Sequence, residues 1–347
     1  MGSTLSEAYR DSPLQLHHIV PLDFRSVQTL PNSHVWSQSD RDLPCGVPIG
    51  EDLQIPVIDL LDSNVEELVG DACRAWGIFQ VTNHGLPSDL LEDVESKARR
   101  LFALPAGQKI KVLRSPDGCT GYGMARISPF FPKFMWHEGF TMMGSPVDHA
   151  RVLWPHDYKR FCEVMEEYQK AMKTLAHKLL LIILKSLDVY EEEKQWSAMV
   201  QNSDAGALQL NSYPSCPDPT RAIGLAPHTD TLLLTILNQT RDTKGLQIFR
   251  EGVGWAPVSP VAGALTVNVG DLLHIFSNAK FPTVYHRAAV NQTCHRLSVA
   301  YFYGPQADSI VAPFSKLQSP LYRSLTVKEY VSLKAKHLER AMSLIRI

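Results

Sequence analysis

The chain has 347 residues, room for one large domain or about two of average size. With 44% hydrophobic and 20% charged residues it can bury a sizeable core, which excludes a disordered chain. A net charge of −2 without a basic patch argues against a nucleic-acid binder, and the longest purely apolar run, Leu179 to Leu184, falls far short of the roughly 18 residues that span a bilayer.

Residues 1–54 are rich in Pro, Ser and Asp without a sustained period and read as an irregular arm. The first residues lack the basic start and apolar stretch of a secretory leader. Cys45, Cys73, Cys119, Cys162, Cys216 and Cys294 are scattered, with no CxxC pair, so reduced thiols and a cytoplasmic location are expected. Ile55–Asp59 reads as a strand. A helix follows from Val65 to Trp76, with Val65, Leu68, Val69, Ala72 and Trp76 on one face, and Gly77 ends it. Ile78–Thr82 reads as a second strand and 83–87 as a turn shaped by His84. Ser88 is the expected N-cap of a helix reaching Leu104.

Residues 114–155 are dense in Gly, Pro and aromatics with no period, and read as ordered loops lining a pocket. From Asp157 to Leu187 apolar residues recur every three to four positions, predicting a long amphipathic helix. Beyond Ala205 short strand-like runs follow one another at 207–213, 231–237, 245–249, 264–269, 272–277, 283–290 and 296–303, which points to a sandwich or barrel. Thr326 and Glu329 form a capping box for a C-terminal helix running to about Leu344. The expected segments are therefore an arm (1–54), a helix and strand segment packing on the core (55–200), a β core (201–310) and a C-terminal helix (311–347).

Two constellations carry chemistry. His228 and Asp230 are two residues apart, so in extended chain they point the same way. His286, on a separate predicted strand, supplies a third corner, and two imidazoles with one carboxylate make the facial triad of non-haem iron sites. Taken alone, His-x-Asp is equally a turn before a strand, and His274 reads as a core histidine. Ten residues after His286, the run 296–303 alternates: Arg296, Ser298, Ala300 and Phe302 share one face. An inward arginine requires an anion, and its planar fork suits a carboxylate. Asn211 and Tyr213 share a face of another strand and offer further polar contacts. An edge strand with Arg296 in water is the plain alternative.

Taken in order, Asn211-Ser-Tyr213, His228-Thr-Asp230, His286 and Arg296-Leu-Ser298 resemble the Fe(II)- and 2-oxoglutarate-dependent dioxygenases of plants, as do Ile55–Asp59 and Trp76–Gly85. Gly121–Ile127, Met135–Thr141 and Asn211–Pro219 are most similar to the gibberellin 3-oxidase branch of that family. The resemblance implies a mainly β fold with flanking helices around a double-stranded β-helix (jelly roll). It implies Fe(II) held by His228, Asp230 and His286, and 2-oxoglutarate met by Arg296, Ser298, Tyr213 and Asn211. Ascorbate is implied as reductant, O2 as oxidant, and succinate and CO2 as products. The implied substrate is a small diterpenoid acid hydroxylated at its 3β position, with Tyr122 and Arg126 as candidate anchors, in a monomeric enzyme with no nucleic-acid or membrane partner. Action on another gibberellin carbon or a flavonoid-like substrate, and a non-catalytic jelly-roll binder, are the alternatives.

Overall fold

The computed structural model describes residues 5–37, 53–187, 189, 206–239, 244–317 and 319–347. Cys45, part of the expected arm and the end of the expected 55–200 segment lie outside them. The first strands, β1 (Val57–Asp59) and β2 (Ile78–Thr82), flank a helix at Val65–Ala75. Gly77 ends that helix because its φ of +66° is left-handed and a Cβ there would meet the Pro282 carbonyl oxygen at 2.3 Å. Of the face assigned to this helix, Leu68 is 41% exposed, and Cys73 is buried instead.

Later strands are β3 (Gly121–Gly123), β4 (Glu138–Met142), β5 (Ala207–Tyr213), β6 (Leu225–His228), β7 (Leu234–Gln239) and β8 (Leu246–Arg250). They continue through β9 (Gly254–Pro257), β10 (Leu265–Val269), β11 (His286–Ala288) and β12 (Arg296–Tyr303). Eight strands form one sheet in the order β1-β2-β10-β7-β12-β5-β4-β3, and four form a second in the order β6-β11-β8-β9. The large sheet thus joins strands of the 55–200 segment to strands of the 201–310 segment.

Side-chain alternation decides what each face of the large sheet does. Outward residues such as Leu208, Leu210, Leu297, Val299 and Tyr301 bury in the same core as the long helix Lys159–Lys185, whose Phe161, Met165, Tyr168, Met172 and Leu179 are all buried. Each such side chain contributes about 1.5–3 kcal/mol. Between the sheets, Ile78, Leu237, Leu246, Ile248 and Ala300 form a smaller apolar cluster. Polar inward residues lie beyond that cluster and face a cavity.

Several local expectations need correction. Residues 272–276 belong to a short helix, Asp271–Phe276, not a strand, and Ser277 caps it. Leu272, Leu273, Ile275 and Phe276 are all buried, so a run this short carries no period to separate helix from strand. Segment 114–155 is not only loop: it supplies β3, β4 and a helix at Val147–Leu153. Pro87, not Ser88, occupies the N-cap position, without a side-chain cap. The Thr326–Glu329 capping box is present, but its helix ends at His337, where Leu338 adopts φ +47°. The strand β6 contains Pro227, which the alternation did not reveal; it lies at the edge of its sheet, where a missing N–H is tolerated.

Candidate active site

His228 ends β6 and His286 begins β11, and the two residues are paired directly across those antiparallel strands. Their ring centroids are 4.4 Å apart. Asp230, just past β6, places Oδ1 3.7 Å from His228 Nε2 and 3.9 Å from His286 Nε2. One donor atom from each residue lies within 4.8 Å of the others. Neighbouring donors on one first-row ion, with bonds of about 2.1 Å, sit about 3 Å apart, so the two imidazole–carboxylate spacings of 3.7 and 3.9 Å exceed that by less than about 1 Å.

The surroundings prepare all three as ligands. His228 Nδ1–H donates to the Ala226 carbonyl at 2.8 Å, and His286 Nδ1–H to the Val284 carbonyl at 3.2 Å. Each bond fixes the tautomer that leaves the Nε2 lone pair free toward Asp230. Burial, with the neighbouring His286, pushes the His228 imidazole down to about 3, so it is neutral at physiological pH. Burial works to raise the Asp230 carboxyl, but the two imidazoles, Thr235 and Asn268 outweigh it and hold it below the usual range. Asn268 Nδ2 donates to Asp230 Oδ2 at 3.4 Å, steadying the carboxylate.

The second constellation faces the same cavity. In the β12–β5 register, Arg296 pairs with Tyr213 and Ser298 with Asn211. Strand β12 lies inside the sheet between β7 and β5, so the edge-strand alternative does not hold, and Arg296 is 2% exposed. Its guanidinium lies 4.9 Å over the Tyr213 ring, and Nη2 donates to Gln239 Oε1 at 2.6 Å. Arg296 Nε and Nη1 are buried with no partner. A buried cation with two idle donors is costly unless an anion meets it, so the group fits a carboxylate bound in the cavity. Asn211 Nδ2 donates to Ser298 Oγ at 3.4 Å, and Asn211 Oδ1 accepts from His137 Nε2 at 3.0 Å.

Sequence reasoning missed three supports. Gln239 pins one arm of Arg296. Gly245 leaves it room: a Cβ there would meet Arg296 Cδ and Nε at 2.7 Å. Gly245→Ala is expected to displace the guanidinium and raise the KM for 2-oxoglutarate about 10- to 100-fold, measured by initial rates. The third support is the C-terminal helix. Lys334 Nζ bonds Asp271 at 2.8 Å and Glu339 at 3.3 Å, and Glu339 accepts from both the N–H and the hydroxyl of Thr229 at 3.0 Å. Thr229 stands between two of the triad residues, so this buried cluster clamps their loop. Lys334→Met, which strands Asp271, is expected to cost about 3–5 kcal/mol of stability in denaturant unfolding. No motif announces such a cluster, since its members are far apart in the chain.

The cavity between the sheets has a volume of about 290 Å³ and receives His228, Asp230, His286, Arg296 and Ser298 together. Asn211, Tyr213 and Arg126 also line it. Tyr122 does not: it is 2% exposed and donates its hydroxyl to Glu138, outside the cavity lining. The aromatics at 131, 134, 136 and 140 are likewise absent from that lining, and Phe130 alone of the aromatic set reaches it. The arm contributes unexpectedly, since Leu5, Tyr9, Ser12 and Leu14 form part of the wall.

Comparison with known proteins follows this geometry. Residues 196–305 match the 2OG-Fe(II) oxygenase superfamily, and residues 55–160 match the family described as non-haem dioxygenase in morphine synthesis N-terminal. Gibberellin 3-beta-dioxygenase 1 of Pisum sativum is 51% identical over 353 residues, covering 99% of this chain and 94% of that protein. Gibberellin 3-beta-dioxygenase 2 of Arabidopsis thaliana is 49% identical over 354 residues, covering 100% of both. The crystal structure of JOX2 in complex with 2OG, Fe and JA superposes with a TM-score of 0.76 at 30% identity, over 88% of this chain and 89% of that one. The rice dioxygenase for auxin oxidation superposes with a TM-score of 0.70 at 24% identity, over 85% and 100%, which shows the shared fold.

Proposed function

The chain belongs to the 2OG-Fe(II) oxygenase superfamily, and from that premise we propose that it is a gibberellin 3-beta-dioxygenase, hydroxylating gibberellin precursors to bioactive forms. The observation that carries the reading is one cavity holding both a largely buried His-Asp-His triad and a buried arginine with two idle donors. Near-complete coverage by gibberellin 3-beta-dioxygenases supports the substrate class.

His228, Asp230 and His286 would hold Fe(II), and Arg296 with Ser298, Tyr213 and Asn211 would hold the distal carboxylate of 2-oxoglutarate. Fe(II) with 2-oxoglutarate supplies the power to hydroxylate an unactivated C–H bond, O2 being consumed and succinate and CO2 released. The protein's part is positional. Carbonyl bonds to both Nδ1 atoms keep the imidazoles aimed at one point. Gln239 and the Tyr213 ring hold the Arg296 fork flat, so one oxoacid orientation is favoured. Apolar walls at Leu237, Leu246, Ala300 and Phe302 exclude water from the reacting region.

The five described cysteines are free thiols, which supports a reducing, cytoplasmic setting. No described helix is long and apolar enough to cross a membrane. A cytoplasmic monomer belongs to the same proposal, and light scattering of the purified protein tests the monomer.

Incubation with Fe(II), ascorbate, 2-oxoglutarate, O2 and a 3-deoxy gibberellin is expected to give the 3β-hydroxylated product with one succinate per turnover. Hydroxylation at another carbon, or of a flavonoid alone in a parallel panel, would reject the substrate assignment.

A further inference from the structure

Away from the triad and Arg296, the guanidinium groups of Arg114 and Arg126 lie in the cavity wall with no described carboxylate in ion-pair contact. Arg114 is 4% exposed; its Nη2 donates to the Met124 carbonyl at 2.6 Å, and its Nε is buried with no partner. Arg126 lies 4.0 Å over the Tyr9 ring and donates to the carbonyls of Gly118 and Ser12. The Ser12 hydroxyl is also buried with no partner. Among the described residues no carboxylate lies within 4.0 Å of either guanidinium. Arg114, Arg126 and Ser12 all line the cavity. Two guanidinium groups without an ion-paired carboxylate, beside an orphaned hydroxyl and with Ala125, Ile127, Phe130 and Met143 in the same wall, make an anion site at the edge of an apolar surface.

This site is not a second grip on 2-oxoglutarate. Arg114 N–H bonds the carbonyl of Tyr122 on β3, while Arg296 stands on β12, three strands away in the sheet order. Three inter-strand spacings of about 4.8 Å put the main chains of β3 and β12 roughly 14 Å apart. A five-carbon diacid spans about half of that at about 1.5 Å per bond. Arg114 and Arg126 also share no hydrogen-bond partner with Arg296, which already accounts for 2-oxoglutarate, so a different anion fits this site better.

Resting on the function proposed above, we propose that Arg114, Arg126 and Ser12 form the substrate-carboxylate subsite, which takes the free carboxylate of the diterpenoid acid and so fixes which carbon faces the triad. The N-terminal arm completes this subsite through Ser12 and through Tyr9, which stacks beneath Arg126. The arm is tied down by Leu14 N–H to the Pro116 carbonyl at 2.9 Å and by Lys328 to Glu7 at 3.0 Å. Arg114 is too deeply buried for a clean substitution, so the test uses Arg126 and Ser12.

Steady-state kinetics of wild type, Arg126→Gln, Arg126→Lys and Ser12→Ala are measured with a 3-deoxy gibberellin and with its methyl ester. Wild type is expected to favour the acid by about 10- to 100-fold in kcat/KM, the range of charge-assisted hydrogen bonds. Arg126→Gln is expected to erase that preference by raising KM for the acid alone, Arg126→Lys to restore part of it, and Ser12→Ala to give a smaller loss in the same sense. A variant that weakens acid and ester alike, or a wild type indifferent to esterification, overturns the subsite. A wild type that oxidises no gibberellin overturns the functional reading instead. Calorimetric titration with 1-naphthoate and 1-naphthamide then decides the subsite: the acid binds more tightly in wild type and equally with the amide in Arg126→Gln, whereas equal binding in both proteins overturns it.

Discussion

Asp230→Ala is expected to abolish turnover, lowering kcat/KM on the order of 10³-fold or more, and to remove high-affinity Fe(II) binding. Asp230 supplies the single negative charge of the triad, 3.7 and 3.9 Å from the two imidazole Nε2 atoms. Without it only the two imidazoles remain, and a hard, dipositive ion loses the one anionic ligand the protein supplies. At about 1.4 kcal/mol per tenfold, a thousandfold loss corresponds to about 4 kcal/mol. His228→Ala and His286→Ala are expected to fall in the same range, because each leaves only two donors. The fold should survive all three changes. The triad places like-oriented lone pairs and a carboxylate together in a buried site, an arrangement that serves a metal and does little for packing. Equilibrium titration with Fe(II) or Mn(II), alongside thermal unfolding, separates lost metal binding from lost structure.

The second large effect concerns Arg296. Arg296→Met is expected to raise the KM for 2-oxoglutarate by about 30- to 3,000-fold, the 2–5 kcal/mol range for truncating one partner of a buried charge pair. In the same variant the ligand-free protein is expected to hold its stability or gain some. The wild-type guanidinium is 2% exposed with two unpartnered nitrogens, and an apolar side chain of similar length removes that desolvation cost. Opposite signs for stability and cosubstrate affinity distinguish a ligand-binding arginine from a structural one. Arg296→Lys should be intermediate in affinity, since it keeps charge but loses the planar fork held between Gln239 and Tyr213. Initial rates against 2-oxoglutarate concentration and thermal unfolding together check the pair of effects.

Much of this site is legible in the sequence because strands impose a period of two. Arg296, Ser298, Ala300 and Phe302 fall on the cavity side of β12, and Leu297, Val299 and Tyr301 on the helix side, as alternation requires. Gln209, Asn211 and Tyr213 follow the same rule on β5. The pairing of His286 with His228 rests on a register that no local pattern encodes, and only the ordered motifs bring it into view.

What stayed hidden has physical causes. Every apolar residue of the run 272–277 is buried, so hydrophobicity carried no face to read. The strands β3 and β4 are interrupted by Gly and buried on both faces, which removes alternation from segment 114–155. Tyr122 reads as a candidate anchor because it lies in the aromatic segment 114–155. Its hydroxyl instead joins Glu138, which also takes the Lys109 ammonium, in a buried charge cluster made from residues on separate elements. The described part of the arm shows no period because it holds short 3-10 turns, such as Leu5–Tyr9, joined by irregular chain, and Leu5 and Tyr9 line the cavity.

The account's central claim is that one cavity seats a ferrous ion on His228, Asp230 and His286 and an oxoacid on Arg296. An α-keto acid chelating Fe(II) produces a visible charge-transfer absorption that neither component shows alone. Anaerobic titration of the Fe(II)-loaded protein with 2-oxoglutarate measures it directly. The absorption is predicted to appear in wild type, to be absent in each of the three alanine variants, and to require much higher 2-oxoglutarate in Arg296→Met. Its appearance at unchanged 2-oxoglutarate concentration in Asp230→Ala, or its absence from the wild-type protein, would contradict the account.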